Sequence, residues 1–298
     1  MELRHLRYFV AVAEELHFSL AAQKLNIAQP PLSQQIQQLE NELGVRLFLR
    51  TKRQVKLTYA GKVFLDNARK ILNDLERACE ATQRAHRGEL GKIIVAFTGT
   101  ATYDILPNLI QLYQARYPLV DLTVFQLVTT AQVEALLTGE IDVGILCAPL
   151  EIAELNVGVI RYEPFVVALP ADHPLAEKTG GIEAGELAAE LFIMTPRKLG
   201  PAYYDVIINI CHNAGFSPNV VQESGELGTI LALVAAKMGI SLVPHSLQNI
   251  HMEGVVYRQL KNPFPKLQTA LAWRKSENSP VVHTFLELAT RCFPVLKD

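Results

Sequence analysis

Gln29, Ser33, Gln34 and Gln37 are the side chains of this 298-residue chain best suited to recognition chemistry. They take the outward positions of a helix whose inward positions are Leu32, Ile36, Leu39 and Leu43, and Gly44 ends it. Pro30 and Pro31 suit its first turn, because proline has φ preset and no amide hydrogen to lose there. Amides and hydroxyls on an exposed, uncharged helix start are what reading base edges in a DNA major groove requires. Phe18 to Leu25 reads as a shorter helix capped by Ser19, with Leu20, Ala21, Ala22 and Leu25 as its apolar face. Asn26-Ile27-Ala28 leaves room only for a turn, so the stretch about 18–37 predicts a helix-turn-helix.

The flanking segments complete that unit. Leu3, Leu6, Phe9, Val10, Ala13 and Leu16 form an amphipathic helix that can buttress the pair. Val45 to Arg50 and Val55 to Leu57 read as two short strands around the basic tip Thr51-Lys52-Arg53-Gln54. This is a winged helix-turn-helix whose Arg50, Lys52 and Arg53 are placed to meet phosphate or a minor groove. Charge agrees: residues 1–58 hold 8 Lys+Arg against 5 Asp+Glu, whereas residues 92–298 hold 14 against 20. The near-neutral whole chain hides a basic head on an acidic body.

A second set of polar residues lies further along. Thr98, Thr100 and Thr102 follow the apolar strand Ile93–Phe97, and Thr129-Thr130 follows Leu122–Leu127 and starts the next helix. Helix N-termini with free N–H groups and neighbouring hydroxyls make a cradle for a small carboxylate. Pro196 to Tyr203 offers another helix start, with Arg197, Lys198 and an aromatic ring. The elements that must position these groups alternate as strands and helices from Ile93 to Phe293, which predicts parallel, helix-covered sheets divided into two lobes with the ligand between them.

Between the two regions runs a segment from Tyr59 to about His86, capped by Thr58. Phe64, Ala68, Ile71, Leu75, Ala78, Thr82 and Ala85 recur at alternating intervals of four and three, a heptad seam that a second copy of the chain would cover. The predicted state is a homodimer through this helix.

Other classes find little support. GxSxG, HExxH, P-loop and strand-linked GxGxxG motifs are absent, which speaks against an enzyme carrying a DNA-binding head. His173 sits in a turn, and His245 beside Ser246 reads as a helix cap. Cys79, Cys147, Cys211 and Cys292 are scattered without a CxxC pair, as expected of reduced thiols, and no metal or cofactor is called for. The apolar runs fall short of the ~20 residues of a membrane helix. The polar start Met1-Glu2-Leu3-Arg4 lacks a signal-peptide core, so a cytoplasmic location is expected and an exported solute-binding protein is not.

The phrases AAQKLNIAQPPLSQQIQQLE, LGVRLFLR and LTYAG resemble the N-terminal domain of LysR-type transcriptional regulators, and the layout of the remainder is similar too. The chain is most similar to the aromatic-acid (benzoate- and muconate-responding) and acetoin-operon regulators of that family. The resemblance implies a DNA-binding domain at 1–58, a linker and dimerisation helix at 59–88, and an effector domain at 89–298 of the periplasmic-binding-protein type. Its lobe I would be 92–161 plus 267–298, and its lobe II 162–266. It further implies effector contacts at Thr100, Thr129, Pro201 and Tyr203, bordered by the loop around Glu226. The partners implied are operator DNA, a small carboxylate effector, a dimer of dimers, and RNA polymerase if the protein activates. Many aromatic-acid responders carry arginine where this chain has Gln34, and glutamine favours adenine over the guanine that arginine reads best.

Overall fold

The structure is a computed structural model that describes residues 1–51, 54–261 and 264–293. It divides into two compact units, Met1–Arg84 and the chain from Ala85 onward.

In the first unit, α1 (Leu3–Glu15), α2 (Phe18–Lys24) and α3 (Gln29–Leu43) are followed by β1 (Phe48–Arg50), β2 (Val55–Leu57) and the long α4 (Tyr59–His86). Leu6, Phe9 and Val12 of α1, Phe18 and Ala21 of α2, and Leu32, Ile36 and Leu39 of α3 close one core with Leu47 and Phe48. The outward face of α3 at its start carries Gln29, Gln34 and Gln37 beside the exposed Pro30 and Pro31. β1 and β2 pair antiparallel, Phe48 opposite Leu57 and Arg50 opposite Val55. β1 begins three residues later than the predicted strand, because the chain after Gly44 first turns to bring Leu47 into the core.

Two sequence expectations fail here for packing reasons. Ser19 is not the cap of α2: the helix starts at Phe18, whose ring must enter the core, and the His17 ring accepts from Leu20 N at 3.5 Å instead. The heptad seam is not free along its whole length either. Ala68 is fully buried and Phe64 packs edge-on against Phe9 at 4.9 Å, because Thr58 caps α4 against Leu47 and lays its first turns on α1. Only the part from Ile71 onward, Ile71 itself 44% exposed, still presents the seam outward.

In the second unit the order is β3 (Gly91–Phe97), α5 (Ile105–Arg116), β4 (Val120–Gln126), α6 (Thr129–Thr138), β5 (Val143–Ala148), β6 (Leu155–Glu163) and β7 (Phe165–Pro170). There follow β8 (Leu191–Met194), α7 (Pro201–Asn213), β9 (Asn219–Glu223), α8 (Leu227–Ala235), β10 (Ser241–Pro244), β11 (Val255–Gln259), β12 (Leu267–Arg274) and α9 (Pro280–Cys292). One lobe is built on the sheet β4-β3-β5-β12-β6, the other on β10-β7-β11 with the parallel pair β8-β9 joined through a Phe192–Ile240 bridge. Each lobe has its own apolar core.

The sheets are mixed, against the expectation of parallel ones. β3 is parallel to β4 and β5, but β12 runs antiparallel to β5 and β6, and β7 antiparallel to β10 and β11. The cause is the passage between lobes. β6 hands the chain past Pro164 into β7, and β12 brings it back beside β6, so it must run against that neighbour. β11 is a strand that the βα reading passes over.

Candidate functional site

Gln29, Pro30, Pro31, Gln34 and Gln37 are exposed on α3, and Ser33 is half-buried beside them. No side chain caps this helix start, where Ala28 stands at the N-cap, and no acidic residue lies in the first turn. The face therefore carries the outward field of the helix N-terminus with nothing to oppose a phosphate. Ser19 Oγ donates to Gln29 Oε1 at 3.0 Å, and Gln37 Nε2 donates to Asn41 Oδ1 at 3.1 Å. Gln34 has no hydrogen-bond partner among the described residues.

The wing is only partly as expected. Lys52 and Arg53 lie outside the described residues. Arg50 is exposed but ion-paired: its Nη2 pairs with Glu40 Oε2 at 2.9 Å, and its guanidinium sits 4.8 Å from the Phe18 ring centroid. Glu40 is buried, and its other oxygen accepts from Leu47 N at 2.8 Å and Phe48 N at 3.0 Å. A buried carboxylate needs this many donors, and Arg50 is the cation that neutralises it. Arg50 thus joins the wing to α3.

The second unit holds a cleft between its lobes. One side is lined by Thr98, Gly99, Thr100, Gln126, Leu127, Val128, Thr129 and Cys147, the other by Thr195, Leu199, Gly200, Tyr203, Gly225 and Leu227. Val128, Gly200 and Glu226 are the N-caps of α6, α7 and α8, and none of the three helices is capped by a side chain. Their unsatisfied N–H groups supply partial positive charge without a cation among the lining residues.

Of the predicted residues, Thr98, Thr100, Thr129 and Tyr203 line this cleft. Thr98 and Thr100 share a hydrogen bond of 2.9 Å, and Thr100 Oγ1 is 3.5 Å from Cys147 Sγ. Tyr203 presents ring rather than hydroxyl, since its OH donates to Leu242 O at 3.3 Å. Burial pushes its phenol up, so it stays neutral. Burial likewise raises the Cys147 thiol, although hydrogen bonds with Thr100 and Thr98 work against it.

Thr102, Pro201 and Glu226 do not line the cleft. Thr102 continues the turn that Gly99–Ala101 begins, its N–H bonded to Gly99 O. The N-cap Gly200 takes the lining position beside Pro201. Glu226 stands at the rim, where its carboxylate accepts from Gln126 Nε2 of the other lobe at 3.1 and 3.3 Å. Arg197 and Lys198 are exposed and outside the lining, with Arg197 paired to Asp205.

Sequence reasoning passed over Gln126, Cys147 and Thr195. A signal for them existed: with Thr98 they stand at or just beyond the carboxyl ends of β4, β5, β8 and β3, where open α/β sheets bind ligands. Among the described residues no His, Cys, Asp and Glu group could hold a metal ion, and no helix is long and apolar enough to cross a membrane.

Comparison with known proteins agrees with both halves of this geometry. The model for bacterial regulatory helix-turn-helix proteins of the LysR family matches residues 3–62, and the LysR substrate binding domain matches residues 86–293. The HTH-type transcriptional regulator AlsR of Bacillus subtilis is 41% identical over 97% of this chain and 95% of its own length. The HTH-type transcriptional regulator BenM of Acinetobacter baylyi is 38% identical over 96% of this chain and 94% of its own. Full-length CbnR bound to its target DNA superposes with a TM-score of 0.86 at 30% identity, covering 98% of this chain and 99% of that one. A family model over each unit and full-length relatives at 41% and 38% identity agree, and the chain belongs to the LysR family of transcriptional regulators.

Proposed function

We propose that this regulator reads operator DNA through Gln29, Ser33, Gln34 and Gln37, and that a compact organic carboxylate entering the interlobe cleft changes its DNA-bound arrangement. One observation carries the ligand class: three uncapped helix N-termini converge with Thr98, Thr100 and Thr129 on a cleft whose lining has no charged side chain. Such a site stabilises a small anion through dipoles and hydroxyls, while Leu199, Leu227 and the Tyr203 ring take its apolar part. The ligand shifts lobe closure only by its differential affinity for the two arrangements, typically ~1–3 kcal/mol. A second copy covers the outer part of the α4 seam from Ile71 onward, and two such dimers meet on the operator with half-sites in whole helical turns.

A thermal-shift screen of short and aromatic carboxylates against the full-length protein tests the ligand class, since a ligand at 100 times its Kd adds ~2.7 kcal/mol of stability. Stabilisation by neutral or cationic compounds alone would overturn it. With a carboxylate in hand, Thr100→Val should weaken its binding about tenfold by calorimetry, ~1.4 kcal/mol. Ligand-free operator binding should be unchanged, because Thr100 lies in the second unit; a parallel loss of both would mean misfolding. On the DNA side, Gln34→Ala should flatten base preference at one operator position, ~1–3 kcal/mol of discrimination, without altering salt dependence. A uniform loss over all operator variants would reassign Gln34 to phosphate.

A further inference from the structure

Ser19 has no capping duty, since His17 performs it, and its hydroxyl is turned to another use. Ser19 and Gln29 are ten residues apart, on the first turns of α2 and α3, and Ser19 Oγ donates to Gln29 Oε1 at 3.0 Å across the turn. We infer that Ser19 is a positioning residue for base reading, holding the Gln29 amide so that its Nε2 faces outward. The inference rests on the proposed reading of α3 as the base-reading helix, and it deepens that reading by fixing what Gln29 presents.

Two consequences follow from the bond. A glutamine held by a partner before it meets DNA loses less rotamer freedom on binding than a free one, so its contact discriminates better. An amide whose oxygen is already occupied presents donors, which match guanine O6 and N7, adenine N7 or thymine O4, and do not match the cytosine amino group. Gln37 is tied as well: one Nε2 hydrogen goes to Asn41 Oδ1, which leaves its oxygen and its second Nε2 hydrogen for a base. Gln34, between them, is free to turn. The helix thus presents a Gln29 amide oriented by Ser19, an adaptable Gln34 and a Gln37 tied to Asn41, in order along its outer face.

The rival use for a hydroxyl at this place is a direct phosphate contact, because the start of α2 also lies at the surface. The two uses separate in one experiment. The wild-type full-length chain first selects a duplex from a random-sequence pool, and affinities are then measured for that duplex and each of its single-base variants. Gln29→Ala should flatten preference at one position. Ser19→Ala should reduce preference at that same position three- to fivefold, leave the other positions and the salt slope unchanged, and add nothing in the double variant. Ser19→Thr, which keeps the hydroxyl, should retain the preference, and thermal melting of all variants should match the wild type.

A uniform loss across all duplexes with a shallower salt slope would assign Ser19 to phosphate and overturn the positioning role. So would unchanged preferences in Ser19→Ala beside a flattened position in Gln29→Ala. If Gln29→Ala flattens nothing, the assignment of Gln29 to base reading has failed first, and the role of Ser19 falls with it.

Discussion

Glu40→Ala should destabilise the DNA-binding unit by about 2–5 kcal/mol, since two buried backbone N–H groups left unsatisfied cost roughly 1–3 kcal/mol each. The carboxylate accepts from Leu47 N, Phe48 N and Arg50 Nη2, at 2.8, 3.0 and 2.9 Å. Its loss leaves two backbone N–H groups at the α3–wing junction without an acceptor, and an arginine facing a void. Arg50→Ala should cost much less, about 1 kcal/mol, because the Arg50 side chain is one-third exposed (33%) and the carboxylate keeps its two backbone donors. The sole tryptophan, Trp273, lies on β12 in the second unit. Urea unfolding followed by circular dichroism should therefore show an early transition in Glu40→Ala, while tryptophan fluorescence holds its wild-type midpoint. Equal, small shifts for both variants would remove Glu40 from this role.

Gly61→Ala should also destabilise, by about 1–3 kcal/mol, where the intrinsic preference of a helix points the other way. On an exposed helix the change adds roughly 0.8–1 kcal/mol of stability, because glycine is the poorer helix former. At Gly61 a Cβ would stand 2.2 Å from the Leu47 carbonyl oxygen and 3.0 Å from a Leu57 methyl. That carbonyl cannot withdraw, since Thr58 N donates to it at 2.9 Å and Thr58 Oγ1 reaches it at 3.2 Å. Overpacking wins, and the start of α4 must lift off the wing. Thermal melting would show the loss, and operator affinity should fall with it; a raised melting temperature would show that the junction has room to give.

These two residues mark how far sequence reasoning reached. α4 was read with its observed ends, Tyr59 and His86, from its period and the Thr58 cap, and Gly61 appeared only as a letter of LTYAG. Its necessity comes from the Leu47 carbonyl fourteen residues away, which no periodicity reports. Glu40, in QQLE between core positions, carries no local sign of its role, and its partner Arg50 reads as a basic wing residue that meets phosphate. That Arg50 also pairs with Glu40 and lies over the Phe18 ring follows from the fold alone.

The candidate cleft divides in the same way. Thr98, Thr100 and Thr129 could be found because strand-end hydroxyls before a helix are a local pattern. Cys147 was marked only by its place near a strand end: its contact with Thr100 spans forty-seven residues of chain, through the pairing of β3 with β5. Arg197 and Lys198 were drawn towards the ligand by their charge alone, whereas Asp205, eight residues on, holds Arg197 at the surface.

By itself, then, the sequence determined what depends on neighbours within one or two helical turns. That includes the helix-turn-helix and its polar face, the length and stripe of α4, and the switch to βα units. The tertiary structure decided what depends on which surfaces meet. It selected the part of the seam left uncovered, turned the sheets mixed by returning the chain beside β6, and set Arg50 on Glu40 and the Ser19 hydroxyl on Gln29. The reason is the range of the forces: helical period, caps and turn preferences act along a few residues, while burial and hydrogen-bond satisfaction are settled only when distant segments share a surface.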